Sequence, residues 1–218
     1  MPLQPTSAQV RLDIFADPTC PWSLIAKAEL DRALEARPRH PLALTWHPFR
    51  LEPQMPAAGM DYVTYMKAKY RDEKGILDAM GPVMAAAERL GLWINPSLIE
   101  RVPDTTNAFR LLHWAGIESA QTRVMSGLMR AHWREGRNIA RPDVLRDIAA
   151  SAGMDGAMVL RLLTTEADID TVLLAEAHAR DRGVRATPTV IVADRHVVTG
   201  AQPASLWMQV IDDLAAAG

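Results

Sequence analysis

Strand-like runs in this 218-residue chain fall only at its two ends. Val10 to Ala16 (VRLDIFA) and Leu42 to Phe49 (LALTWHPF) are short and carry β-branched and aromatic residues, with Pro18 and Pro48 as punctuation. Thr189 to Ala193 and His196 to Thr199 repeat the type near the other terminus, joined by the turn residues Asp194 and Arg195. Each piece alone would expose an unpaired edge and an apolar face. The four are therefore expected to share one sheet, although more than a hundred residues separate the two halves.

The intervening and flanking segments read as helix. Trp22, Ile25, Ala26, Leu30, Ala33 and Leu34 fall near a 3.6 period and predict a helix from Pro21 to Arg37, ended by Pro38 and Pro41. RLEPQMPAAGM, residues 50–60, is a Pro- and Gly-rich connector. From Asp61 to about Gly183 the pattern is helical, without a strand. Pro82 fits the first turn of one helix and Gly91 its end; Asp104 or Thr105 caps another that runs to Trp114 and is closed by Gly116. Pro142 and Gly153 bracket a further helix, Gly183 ends the last of the block, and Pro203 to Ala217 closes the chain amphipathically. The expected class is α/β: a β-α-β unit, a large all-helical insertion, then β-β-α. The expected units are residues 1–55 with 184–218, and the insertion 56–183.

Bulk properties narrow the function. A net charge of −2 creates no field for nucleic acid or acidic membrane, and no apolar run reaches the roughly 20 residues a spanning helix needs. MPLQPTSAQV has neither a basic nor an apolar leader region. One cysteine forbids an intramolecular disulfide and fits a reducing compartment, so a cytoplasmic protein is expected, as monomer or homodimer.

That one cysteine, Cys20, lies in ADPTCPWSLIAKAEL, where the first strand gives way to the first helix. The pattern places Cys20 at the N-cap, Pro21 at the first helical position and Ser23 two residues further. A helix N-terminus presents unpaired N–H groups and about half a positive charge, both of which favour thiolate over thiol. Pro21 suits the turn because its missing N–H was unpaired anyway. Most free cysteines are small buried hydrophobes, but that role gives no reason for a position beside proline at a strand-to-helix junction.

DPTCPWS, with GVRATPTVIV near the far end, resembles the DsbA-like thioredoxin-fold family. FRLEP, LLHWA, VLRDIAASAGMD and GAQP extend the resemblance over nearly the whole chain, nearest to the FrnE-type oxidoreductases. The relatives include 2-hydroxychromene-2-carboxylate isomerase and kappa-class glutathione transferase. The resemblance implies a thioredoxin-like sheet interrupted by helices, and a cis Thr187–Pro188 bond that turns the Thr187 backbone toward an extended thiol substrate. It implies Cys20 as nucleophile, Pro21 and Trp22 beside the sulfur, Ser23 as hydrogen-bond donor to it, and Arg110 lining the cleft. Three departures qualify it. Ser23 stands where the oxidoreductases carry a second cysteine, so an external thiol, glutathione, must release any mixed disulfide. The isomerase and transferase branch has serine where Cys20 stands. That branch also often places an acid after the last strand for the γ-glutamyl ammonium, where this chain has Gln202. Three readings follow: a single-cysteine oxidoreductase acting on small or protein disulfides, a glutathione-dependent isomerase or transferase, or a non-catalytic module for a redox partner or peptide.

No metal is expected, since the six histidines form no ligand spacing with Asp, Glu or Cys. His113 is a candidate structural histidine. Tyr62, Tyr65, Met66 and Trp93 are candidate walls of an apolar cleft, though such residues at helical spacing are more often core.

Overall fold

The computed structural model describes residues 9–217. The first unit is β1 (Val10–Ala16), α1 (Pro21–Ala36) and β2 (Leu42–Pro48). A helical stretch follows, comprising β3 (Met60–Asp61), α2 (Tyr62–Tyr70), α3 (Glu73–Arg89), β4 (Arg101–Val102), α4 (Thr106–Ile117), α5 (Gln121–Trp133), α6 (Pro142–Ser151), α7 (Gly156–Leu163) and α8 (Ile169–Asp181). The chain closes with β5 (Thr189–Val192), β6 (His196–Thr199) and α9 (Ala204–Ala217). The terminal strands share one sheet in the order β2-β1-β5-β6, with β1 and β2 parallel and the remaining pairs antiparallel. This is a mixed α/β fold of the thioredoxin type carrying a helical insertion.

β1 lies inside the sheet and is buried on both faces over its last five residues. Leu12, Ile14 and Ala16 meet Ile25, Leu30 and Ala33 of α1, with Trp207 and Ile211 of α9, in a core that continues through the helical stretch to Phe109, Met125 and Leu128. The opposite face carries a smaller cluster in which Phe15 and Ile191 pack with Phe49, Ala179 and Val184. Asp13 on this face is buried, its charge met by Arg11 and by His47 at 2.5 Å.

The free edge of β2 is covered by a side chain. Gln121 accepts the Trp46 N–H and donates to the Trp46 carbonyl, each at 3.0 Å, as a neighbouring strand would. His40 Nδ1 takes the Leu42 N–H, and Pro48 has none to offer. No helix among the described residues is long and apolar enough to cross a membrane.

Three local expectations change. The helical stretch does contain strand, a two-residue antiparallel pair of β3 with β4, too short to leave any periodicity. Gly59 permits it: its φ is 68°, and a Cβ there would meet the Val102 carbonyl at 2.5 Å. Pro82 sits inside α3 rather than in a first turn. The preceding residue is Gly81, which has no Cβ to clash with the proline ring, and the following turns bury Val83 and Ala87, so packing holds the helix through the lost bond. Finally, α4 passes Gly116 and ends at Ile117; the left-handed residue is Ser119, at φ 53°. Gly116 instead admits Gln121, whose Nε2 would lie 3.1 Å from a Cβ at that position.

Candidate active site

Cys20 is the N-cap of α1, with Pro21 in the first turn. The cap conformation is extended, φ −80° and ψ 118°, and its N–H donates to the Asp17 carbonyl at 3.0 Å. The carbonyl of Cys20 accepts the N–H groups of Ser23 and Leu24, starting the helix. The sulfur makes no capping bond to the helix; it lies 3.6 Å from the carbonyl oxygen of Thr187. The Thr187–Pro188 peptide is cis. Residues 167 positions apart in the chain thus face each other across the sheet, because β1 and β5 are hydrogen-bonded neighbours with Phe15 opposite Thr189.

Access to the sulfur is narrow. Cys20 is 4 % exposed, Thr187 half-buried, and Trp22, two residues on, 38 % exposed.

The loop before Cys20 is held from three sides. Asp17 is buried, and its carboxylate accepts the Thr19 N–H and hydroxyl at 2.7 Å, the Leu51 N–H at 2.8 Å and the Thr105 hydroxyl at 3.2 Å. Burial pushes its pKa upward, while these four donors pull it back. Trp133 of α5 donates its indole N–H to the Pro18 carbonyl at 2.9 Å. Asp17, Thr105 and Trp133 were not singled out as site residues by sequence reasoning. Only Asp17 leaves a legible signal, an aspartate before proline in a turn whose side chain can cap the next backbone groups. Trp133 lies 115 residues from its partner and leaves none.

Not every expected residue joins the site as anticipated. Ser23 is 1 % exposed and its hydroxyl makes no bond to Cys20 or to any described group; the third residue of α1, it is buried against the core. Arg110 does not line a cleft. It is buried and donates to the carbonyls of Leu162, Thr165 and Ala167 and to Asn107 Oδ1, closing the connection between α7 and α8. Burial lowers its basicity, yet those acceptors and the Trp114 ring satisfy it. Gln202 is half-buried and donates to the Thr199 carbonyl at 2.9 Å, so it bridges the end of β6 to α9 as a neutral amide.

Other candidates take separate places. His113 approaches Asp168 at 3.9 Å, and the same carboxylate accepts the Trp114 indole N–H. Tyr62 and Met66 line an apolar groove of about 540 Å³ with Met80 and Met84. Tyr65 instead donates to Glu52, beside Lys69. Trp93 lies exposed, stacked under Arg134. Among the described residues, no three of His, Cys, Asp and Glu gather as a metal-holding group.

The arrangement can bring a sulfur nucleophile against a disulfide whose backbone lies along Thr187. It cannot resolve the product internally, because the neighbouring position holds a hydroxyl and no second thiol.

Comparison with known proteins agrees with the fold. The family pattern described as DSBA-like thioredoxin domain matches residues 11–211. An uncharacterised protein, YwbO of Bacillus subtilis (strain 168), is 27 % identical over 205 residues, covering 94 % of this chain and 96 % of its own. The structure of a probable DsbA oxidoreductase from Streptomyces coelicolor superposes with a TM-score of 0.83 at 25 % identity, over 95 % of this chain and 91 % of that one. The cytosolic disulfide reductase DsbM from Pseudomonas aeruginosa, solved with GSH, gives 0.62 at 19 % identity over 94 % and 96 %.

Proposed function

Since the chain belongs to the DSBA-like thioredoxin domain family, we propose that it is a thiol–disulfide oxidoreductase working through Cys20 alone, with glutathione as the thiol that completes the cycle. The observation that carries this reading is the Cys20 sulfur set 3.6 Å from the Thr187 carbonyl of a cis-proline peptide, at the N-cap of a helix.

The cycle has two exchanges. The Cys20 thiolate attacks the glutathione sulfur of a mixed disulfide, forming Cys20–S–S–glutathione and releasing the substrate thiolate, which takes up a proton. A second glutathione thiolate then attacks the glutathione sulfur of that adduct, releasing oxidised glutathione and restoring the Cys20 thiolate. The disulfide bond moves from substrate to glutathione, and two electrons move the other way. The Thr187 backbone faces the sulfur, and with Trp22 it is the proposed guide for the incoming disulfide. The backbone groups beside Thr187 fit the peptide of a cysteinyl thiol; Gln202, a neutral amide occupied with Thr199, supplies no carboxylate for an ammonium.

A cysteine only 4 % exposed favours small or extended disulfides over those inside folded proteins. The cytoplasm is the proposed setting. A single cysteine and the likeness to a cytosolic disulfide reductase solved with GSH support it. With a net charge of −2, a small thiol or disulfide is the proposed partner rather than nucleic acid or membrane, for a monomer or homodimer.

Incubation with oxidised glutathione and intact-mass measurement tests the proposal. One glutathione adduct on Cys20, removed by excess reduced glutathione, is the expected result. An unmodified protein after prolonged incubation overturns it.

A further inference from the structure

We propose that a single water molecule is bound beneath the active-site turn, bridging Ser23 of α1 and Trp207 of α9. A cavity of about 10 Å³ lies there, walled by Ile14 of β1, Trp46 of β2 and the cis-proline residue Pro188. Ser23 and Trp207 complete the wall, and they are 1 % and 2 % exposed. Ser23 Oγ and Trp207 Nε1 are both buried atoms without a hydrogen-bond partner.

Buried polar atoms in folded proteins are nearly always paired, so two unpaired ones opening on one cavity have a common explanation. The indole N–H only donates, while the hydroxyl both donates and accepts. They make no direct bond. A water oxygen accepts from Trp207 and exchanges a hydrogen bond with Ser23, satisfying both at once. The volume fits: a polar site of roughly 10–15 Å³ holds one water. Nothing larger fits, and a cation is disfavoured because the third polar residue on the wall, Lys27, is itself positive and paired with Asp31 at 2.5 Å.

The site gives the hydroxyl at position 23 a task other than serving the sulfur. It ties the active-site helix to the C-terminal helix directly under the peptide that faces Cys20. This inference does not depend on the proposed chemistry.

A crystal structure of the full chain at atomic resolution tests it first. An ordered peak within hydrogen-bond distance of both Ser23 Oγ and Trp207 Nε1 is expected, and absent from crystals of Trp207→Phe. A dry cavity, or a direct bond between the two side chains, overturns it. Urea unfolding of Ser23→Ala, Trp207→Phe and the double variant gives the solution test. With a shared water, the second substitution lowers the folding equilibrium constant about fivefold less than it does in the wild-type background. Strictly additive effects overturn the bridge.

Discussion

At the scale of single residues, position 20 carries the chemistry and position 23 decides how the cycle ends. Cys20→Ser is expected to abolish glutathione uptake and disulfide exchange, leaving less than about one part in a thousand of the wild-type rate, since the removed thiolate is the nucleophile. The same variant separates the isomerase reading, because a serine hydroxyl can still hold a glutathione sulfur. Activity on an aromatic isomerase substrate that persists in Cys20→Ser would move the assignment to that branch. Ser23→Cys is expected to create a redox-active pair, because side chains three apart at a helix start lie about 5–6 Å apart and a modest rotation closes a disulfide. Turnover in that variant should no longer require glutathione, measured with a non-glutathione dithiol as reductant. Cys20 was legible because it is the one cysteine of the chain, and the cis Thr187–Pro188 bond only through the resemblance to the DsbA-like family. The burial of Ser23 and Arg110 was not, because orientation follows from packing between segments the sequence keeps apart. Arg110 finds its acceptors in a loop more than fifty residues downstream.

At the scale of elements, the strands and most helix ends were legible because each has its own local signal. β1, α1 and β6 start and stop within a residue of where composition and proline placed them. The misplaced features depend on partners. Pro82 reads as a helix start until Val83 and Ala87 of α3 are packed, and Gly116 reads as a helix end until Gln121 needs its missing Cβ. Gln121 itself carries no sequence signal, yet it supplies both backbone partners of Trp46 at the sheet edge. Gln121→Ala should therefore destabilise the protein by about 1–3 kcal/mol, because it leaves a half-buried N–H and carbonyl unpaired. It should also open β2 to pairing with other chains. A lower urea midpoint together with faster growth of light scattering checks both effects. An unchanged midpoint would show that solvent satisfies Trp46 equally well.

At the scale of the whole molecule, the helical stretch and the sheet share one apolar core, and that core encloses a titratable base. His132 on α5 is buried, set edge-on against Trp133 at 5.0 Å, and burial lowers its pKa from 6.5 to about 4. Its neighbour Trp133 holds the Pro18 carbonyl, so a charge forced onto His132 would press on the helix that anchors the loop before Cys20. In the folded protein the ring stays neutral to a lower pH than in the unfolded chain. Between about pH 6.5 and 4 the unfolded chain therefore binds more protons, and stability falls as pH falls through that window. At about 1.4 kcal/mol per pH unit the full loss amounts to roughly 3 kcal/mol, complete near pH 4. Asp17 acts with the opposite sign: its raised pKa means that protonation at low pH relieves a buried charge and offsets part of the loss. His132→Met isolates the histidine contribution, because it leaves Asp17 and its four donors in place. Urea unfolding of both proteins across pH 7 to 4 should show a steep acid decline in the wild type and a flatter one in the variant. Parallel curves would mean that His132 keeps an ordinary pKa and that another group sets the acid limit.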